Sequence, residues 1–260
     1  MYPYIHIFGR NFGTYGLCMA LGFILAAVLS MRRGKKVGLL MEDVLIVAAF
    51  VLGFAVVCGN AVFIFVTYSF DQIMEFVSKG DFSFIGTGIV FYGGLIGGVL
   101  GALIGIRVAG CKFSVIEYAV VPFIPLGHAI GRIGCVMAGC CHGFEYSGPL
   151  AIYYPASVLG LSPEQGYFPV QPLETVVNIA ICAFLLIFGR KQRPKGMVLF
   201  AYLGVYAVAR FFLEMLRGDA NRGVWYFLST SQIISIVLLT ISVVGILWAK
   251  NTSRTKANEQ

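Results

Sequence analysis

Two arginines lie inside long apolar stretches of this chain, where a charged side chain needs a chemical reason. Arg132 and Arg210 both have mostly apolar neighbours, and a buried guanidinium at membrane depth usually faces a partner or a polar cavity. Glu214 follows Arg210 by one helical turn, so mutual neutralisation is one interpretation. Arg132 has no acidic residue at helical spacing, so we expect its partner elsewhere in the fold or in a ligand. Each guanidinium can donate two parallel hydrogen bonds to phosphate oxygens, so the two arginines suit the phosphate of a lipid.

A tyrosine and two glycines form a second candidate site. Glycines at 93, 97, 101 and 105 recur every four residues and share one helix face, which favours close packing of two helices. At the head of this stripe, Gly93 and Gly94 follow Tyr92. Paired glycines at a helix start leave backbone N–H groups for an anion, and the tyrosine hydroxyl is a usable polar group beside them.

Three cysteines and a histidine form the third cluster, Cys135, Cys140, Cys141 and His142. The ligand types allow a metal, but the spacing matches no common zinc pattern and adjacent cysteines rarely chelate one ion. A redox function needs reactive, accessible thiols. Small residues lining a tight turn are the third interpretation. The sequence alone does not decide among them.

The composition places these residues in a membrane protein. Hydrophobic residues make up 58% of 260 positions and charged residues 12%, against about a quarter charged in a soluble chain. Apolar runs of bilayer-spanning length recur along the chain. The net charge of +7 comes from short basic clusters between these runs, which excludes nucleic-acid binding as the explanation. We predict an all-α, polytopic transmembrane helical bundle.

Seven spans are expected, and the basic residues orient them. The spans are predicted at Tyr15–Met31, Asp43–Val66, Thr87–Val108, Val115–Met137, Pro172–Gly189, Gly196–Leu216 and Trp225–Ala249. One set of loops carries thirteen basic residues: Arg32, Arg33, Lys35, Lys36, Arg107, Lys112, Arg190, Lys191, Arg193, Lys195, Lys250, Arg254 and Lys256. The other set carries four: Arg10, Lys79, Arg217 and Arg222. This bias predicts an N-terminus outside and a C-terminus in the cytoplasm.

The chain is expected to form one transmembrane domain over residues 1–250. A polar cytoplasmic tail follows at 251–260, for which we expect disorder. Two long outward segments, Thr67–Gly86 and Gly139–Gln171, are candidate binding surfaces. The absence of an apparent internal repeat weighs against an inverted-repeat transporter.

Taken together, these elements resemble the prolipoprotein diacylglyceryl transferase family over nearly the whole chain. The matching elements are Tyr15-Gly16, Tyr92-Gly93-Gly94-Leu95, the stretch from Gly131-Arg132 to Gly139-Cys140, Pro169 with Gln171 and Glu174, and Arg210-Phe211 with Glu214. The chain departs from the family pattern at four positions: Tyr92 replaces a histidine, Cys135 and Ala138 replace asparagines, and Cys140 replaces a glutamate. The family's second-span arginine has no convincing counterpart, although Asn60 lies near its place.

The resemblance implies a bacterial enzyme that moves diacylglycerol from phosphatidylglycerol to the lipobox cysteine of prolipoproteins. The implied catalytic residues are Arg132, Arg210 and Tyr92. The implied substrate-binding residues are Tyr15, Gly93, Gly94, Gln171, Glu174 and Glu214. It implies no metal and no cofactor, and we expect a monomer in the inner membrane. Two alternatives stay open: a membrane thiol oxidoreductase using Cys140 and Cys141, and a small-solute transporter.

Overall fold

A computed structural model describes residues 4–7, 9–86, 88–155, 158, 161–191, 193–218, 224–225 and 227–258. In these ranges the helices are α1 (Thr14–Gly34), α2 (Met41–Thr67), α3 (Phe70–Ser78), α4 (Phe91–Val108), α5 (Phe113–Val120), α6 (Ile124–Ala138), α7 (Val170–Phe188), α8 (Met197–Glu214) and α9 (Thr230–Asn258). Three short antiparallel hairpins pair β1 (Tyr4–Ile7) with β2 (Arg10–Gly13), β3 (Ile152–Tyr153) with β4 (Gly166–Tyr167), and β5 (Val224–Trp225) with β6 (Leu228–Ser229).

Seven helical segments of the described chain are long and apolar enough to cross a membrane, as predicted. The fourth is α5 and α6 together. Large apolar side chains such as those of Val57 and Phe65 are 67% and 78% exposed on these helices. Such surfaces require a lipid environment, because soluble proteins rarely expose large apolar patches. The chain is therefore a multi-pass membrane protein.

Two predicted boundaries of the last span are wrong. Trp225 was expected to begin the span, but it lies in β5 and the helix begins at Thr230. The tail was expected to be disordered, but α9 continues to Asn258. Once the apolar span has formed a helix, each further residue adds a backbone hydrogen bond without a new nucleation cost, so the helix propagates into the polar tail. Thr87, Arg222, Glu259 and Gln260 also figured in the predictions and lie outside the described residues.

Contacts divide the chain into two compact units, residues 1–30 with 117–260, and residues 31–116. In the first unit, α7 packs against α6 and α8, and α8 packs against α9. Its core includes Val121, Ile181 and Leu185. A 3-10 turn at Val121–Phe123 interrupts the fourth span at Pro122, as expected where a proline removes a backbone donor.

Glu117 fixes the start of α8 within this unit. The side chain is buried at the base of the fourth span. Its carboxylate accepts three backbone hydrogen bonds, from Gly196 at 2.8 Å, Val198 at 2.6 Å and Leu199 at 2.9 Å. The first N–H groups of a helix have no partner within it, so a buried acid satisfies them in place of a local cap.

The second unit is built on the close packing of α2 and α4. The predicted glycine stripe, Gly93, Gly97, Gly101 and Gly105, is buried on one face of α4. This face lies against α2, where a methyl group at Gly97 or Gly101 would overlap a backbone carbonyl. The packing interpretation of the stripe is therefore confirmed.

Replacing Gly101 with alanine should destabilise the helix pair. The added methyl would overlap the carbonyl oxygen of Phe50, and overpacking of this kind costs about 1–3 kcal/mol. Gly98→Ala is the matched control, because its nearest atom is the Val51 Cγ1 at 3.9 Å and alanine is the better helix former. Unfolding free energies in mixed micelles measure both, and equal effects of the two substitutions would contradict this packing.

Candidate active site

Glu174 joins the two membrane-embedded arginines. The carboxylate belongs to α7, where its side chain is 3% exposed. Its Oε2 lies 2.7 Å from Nε of Arg132 on α6, and its Oε1 accepts a 2.8 Å hydrogen bond from Nη1 of Arg210 on α8. The structure therefore brings both predicted arginines to one acid, and it supplies the partner that Arg132 needs from elsewhere in the fold.

The two arginines meet Glu174 with different geometry. The Nε–H of Arg132 points at Nε2 of His128, 3.2 Å away. Although Nε lies close to Glu174 Oε2, that oxygen receives no aligned hydrogen bond from the described residues. The Arg132 contact is thus mainly electrostatic, while the Arg210 contact is a directed hydrogen bond. With Nε directed at His128 and Nη1 at the Cys135 sulfur, 4.0 Å away, Arg132 uses two of the five N–H donors of a guanidinium and keeps others for an oxygen.

Arg210 is shared rather than merely neutralised. Besides Glu174, its Nη2 donates to Glu214 one turn later and to the Ser231 hydroxyl at 3.2 Å. These bonds use three of the five N–H donors of a guanidinium. Nη1 of Arg217 lies 3.9 Å from Glu214 and adds a third positive charge. Three guanidiniums against two carboxylates leave a net positive cluster, which suits an anion.

Two ion pairs, rather than a helix dipole, stabilise Glu174. A span beginning at the predicted Pro172 would place this acid in the first helical turn, where it would suit the dipole. The helix begins at Val170 and carries no acid in its first turn, so the dipole contributes little there. Two guanidiniums hold the carboxylate instead.

A narrow cavity and an apolar groove adjoin this cluster. The cavity has a volume of about 10 Å³, which is room for one water molecule. It is lined by His128, Glu174, Val177, Asn178, Ile181, Tyr206, Ala209, Arg210 and Leu213. The groove has a volume of about 460 Å³ and is lined by Leu173, Val177, Ala209, Phe212, Leu213, Met215 and Leu216. The two share Val177, Ala209 and Leu213, so a hydrocarbon chain in the groove would end beside Arg210.

The cysteine cluster is gathered at the end of α6. The sulfur atoms of Cys135, Cys140 and Cys141 all lie within 4.8 Å of one another. Cys141 has a left-handed backbone, φ 57°, which is uncommon outside glycine. Thiol hydrogen bonds from Cys135 and Cys140 lower the pKa of Cys141 below its ordinary value, and the positive charge of Arg217 adds to this shift.

Gln171 supports the loop that carries these thiols. It is fully buried, and its Nε2 donates to the carbonyl of Cys140 at 2.9 Å and to the hydroxyl of Tyr154 at 2.7 Å. Both amide hydrogens are thus engaged by the protein. The structure makes Gln171 a positioning residue, and its contact with substrate stays a prediction.

Tyr15 lies beside the same loop. Its side chain is half-exposed at the start of α1, and it interacts electrostatically with all three cysteines and with Arg132. Gly134 permits this approach, since a methyl group there would lie 3.2 Å from the Cα of Tyr15. The predicted tyrosine therefore borders both the arginine and the cysteine clusters.

Tyr92, Gly93 and Gly94 belong to the second unit and begin α4. The ring of Tyr92 packs edge-on against Phe91 and is 40% exposed. The N–H of Gly94 donates to the carbonyl of Val90 at 3.0 Å, so it is not free for an anion as the sequence suggested. Gly93 is buried, and a methyl there would lie 2.7 Å from the carbonyl oxygen of Cys58.

Sequence reasoning missed three neighbours of the arginines. His128 precedes Arg132 by four residues and Arg217 follows Glu214 by three, so helical spacing was an available signal for both. Ser231 reaches Arg210 from another helix, and nothing local in the sequence indicates it.

The fold and this cluster define a polytopic helical membrane protein with a positively charged polar site inside its spans. The model of the prolipoprotein diacylglyceryl transferase family matches residues 3–248. The chain belongs to this family.

Three proteins similar to this chain are named as phosphatidylglycerol–prolipoprotein diacylglyceryl transferases. It is 37% identical over 236 residues to phosphatidylglycerol–prolipoprotein diacylglyceryl transferase 2 of Clostridium perfringens, covering 90% of this chain and 89% of the relative. The transferase of Clostridium tetani is 30% identical over 91% of this chain and 93% of its own length. The transferase of Clostridioides difficile is 28% identical over 98% and 97%.

Glu174→Gln should destabilise the protein strongly. Glutamine keeps the shape of the side chain but removes the charge shared by two buried guanidiniums, and breaking a buried ion pair costs about 3–5 kcal/mol. The free energy of unfolding in detergent micelles measures this loss.

The control is Glu145→Gln, at an exposed carboxylate in the loop after α6. An exposed substitution of this kind should change stability by no more than about 0.5 kcal/mol. If both variants unfold alike, Glu174 does not hold the cluster together.

Proposed function

We propose that this protein transfers diacylglycerol from phosphatidylglycerol to the lipobox cysteine thiol of prolipoproteins, in lipoprotein biosynthesis. The observation that carries the proposal is the convergence of Arg132 and Arg210 on Glu174 within the spans. Family membership over nearly the whole chain and the relatives' names support the same reaction.

The arginine cluster has the chemistry that the donor lipid requires. Transfer breaks the bond between a glycerol carbon and a phosphate oxygen, and negative charge grows on the departing glycerol phosphate. Preorganised guanidiniums stabilise such charge in a site with little water. Arg132 and Arg210 have donors beyond those that Glu174 uses, so they act on the phosphate while Glu174 and Glu214 keep them oriented.

The groove beside the cluster suits an acyl chain of the lipid. Its lining is apolar, and it meets the polar site at Val177, Ala209 and Leu213. A phosphate is too large for the adjoining cavity, so binding the headgroup requires the side chains that line it to move. An amphiphile placed across this junction puts hydrocarbon against leucines and phosphate against Arg210.

The acceptor thiol needs help to ionise, because a free cysteine has a pKa of about 8.5. Tyr92 stands where the family carries a histidine, and we assign it to orienting a substrate. Because a phenol is a weaker base than an imidazole, we assign it no proton transfer. Tyr15, Gly93 and Gly94 are assigned to substrate binding by the same resemblance.

We place the protein in the bacterial inner membrane as a monomer, with its N-terminus outside and its C-terminus in the cytoplasm. The basic residues between spans support this orientation. The thiol oxidoreductase and the solute transporter gain no support from the comparisons, whose relatives are named as transferases.

The proposal predicts a lipidated peptide product. Purified protein in phosphatidylglycerol micelles is incubated with a peptide that carries a lipobox cysteine, and the peptide is weighed by mass spectrometry. We expect its mass to increase by one diacylglyceryl group, with glycerol phosphate released in equal amount. A peptide with serine in place of that cysteine should stay unmodified. An unchanged cysteine peptide, in protein whose fold is intact, would contradict the proposed function.

A further inference from the structure

The three thiols at the end of α6 are a feature that the phosphate chemistry does not use. Cys135 is buried in the last turn of α6, Cys140 is exposed, and Cys141 is partly buried. All three sulfur atoms lie within 4.8 Å of one another. In tetrahedral zinc–thiolate sites the Zn–S bonds of about 2.3 Å place sulfur atoms about 3.8 Å apart. Small side-chain rotations therefore close this triangle on one ion.

Adjacent cysteines rarely share an ion, but the backbone conformation at Cys141 allows it here. Successive side chains of an extended chain point to opposite sides, but Cys141 has a left-handed conformation that breaks this alternation. The Gln171 amide holds the Cys140 carbonyl at 2.9 Å and so fixes the same turn. The geometry thus gathers the two neighbouring sulfurs with Cys135.

The surroundings favour a negatively charged metal–thiolate centre. Three thiolates around a divalent ion carry a net charge of −1, and a fourth would make it −2. The guanidinium of Arg132 lies 4.0 Å from the Cys135 sulfur, and Arg217 interacts electrostatically with Cys141. The guanidinium groups of Arg132 and Arg217 therefore supply positive charge that would offset the negative charge of such a centre.

We propose that Cys135, Cys140 and Cys141 bind a zinc ion whose fourth position takes the thiol of the acceptor cysteine. Three protein ligands with one open position are the arrangement of catalytic zinc sites, whereas structural sites are closed by four. Soft thiolate ligands select zinc among the common divalent ions. The role of the open position rests on the proposed transferase function.

The zinc ion ionises the acceptor thiol, a step to which the proposed function assigns no residue. A thiol that coordinates zinc loses its proton to water and remains a thiolate. That sulfur forms a bond to the glycerol carbon of the lipid, the carbon–oxygen bond to phosphate breaks, and the electron pair leaves with glycerol phosphate. The zinc ion is neither oxidised nor reduced. The product is a neutral thioether, a weaker ligand than the thiolate, so it leaves the metal.

Metal content tests the site without reference to activity. The full-length protein is purified in detergent, supplied with zinc chloride, desalted and analysed by mass spectrometry of the metal. We expect about one zinc per chain, falling to less than about a tenth in Cys140→Ser and Cys141→Ser. Cys111→Ser is the matched control, at a cysteine whose thiol bonds to the Ala109 carbonyl, and it should keep its zinc. If the wild-type protein retains no zinc after this treatment, the proposed zinc site is wrong.

Cobalt tests the open position in the unmutated protein. Cobalt(II) replaces zinc and gives sulfur-to-metal absorption bands, which should change when a lipobox cysteine peptide is added and stay constant with its serine counterpart. Identical spectra with both peptides overturn the acceptor role of the metal. Undiminished lipid transfer by zinc-free protein overturns it too, while leaving the proposed function intact. Zinc binding without any lipid transfer overturns the proposed function instead.

Discussion

The shared carboxylate of Glu174 is the constraint on which the rest of the site depends. Two guanidiniums inside membrane spans are tolerable only when a partner compensates their lost hydration. Glu174 serves both, so α6, α7 and α8 must meet at one level of the bundle. Glu214 and Ser231 extend the network along α8 and to α9. The same bonds that stabilise four helices thus hold a positive site in a fixed shape.

The surroundings of this cluster explain how a polar site works inside a lipid-facing protein. The groove between α7 and α8 is apolar and adjoins Arg210, so an amphiphilic substrate can match both environments at once. On the other side of Arg132 lies the loop with three thiols, which Gln171 ties to the start of α7. Arg132 therefore contacts both Glu174 and the Cys135 sulfur, so the arginine cluster and the cysteine cluster meet at this residue.

The sequence predicted the spans well because each is an apolar run of bilayer length, a signal that neighbours do not alter. It also predicted the glycine stripe, since a four-residue period directly encodes a helix face. It failed at Trp225 and in the C-terminal tail, where hairpin pairing and helix propagation decide the local structure. It wrongly predicted that the backbone N–H of Gly94 is free to bind an anion. The start of α4 at Phe91 decides which N–H groups have a partner within the helix.

The site was only partly predictable for a similar reason. Arg132, Arg210 and Glu214 stand out as charges in apolar runs, and Glu174 follows from the family resemblance. That Glu174 bridges both arginines depends on the packing of three helices, which no local pattern records. The cysteines left three interpretations open, because spacing alone does not reveal that a left-handed residue gathers their sulfurs.

Turnover of an Arg210→Lys enzyme tests the central claim most directly. Lysine keeps the charge but removes the planar fork that grips two phosphate oxygens. Loss of a preorganised donor costs about 2–4 kcal/mol in the transition state, which corresponds to a fall in turnover on phosphatidylglycerol of roughly 30- to 1,000-fold. Arg190→Lys, at an exposed arginine beyond α7, should stay near wild type. An Arg210→Lys enzyme with normal turnover would contradict the account, because Arg210 would then only neutralise its carboxylates.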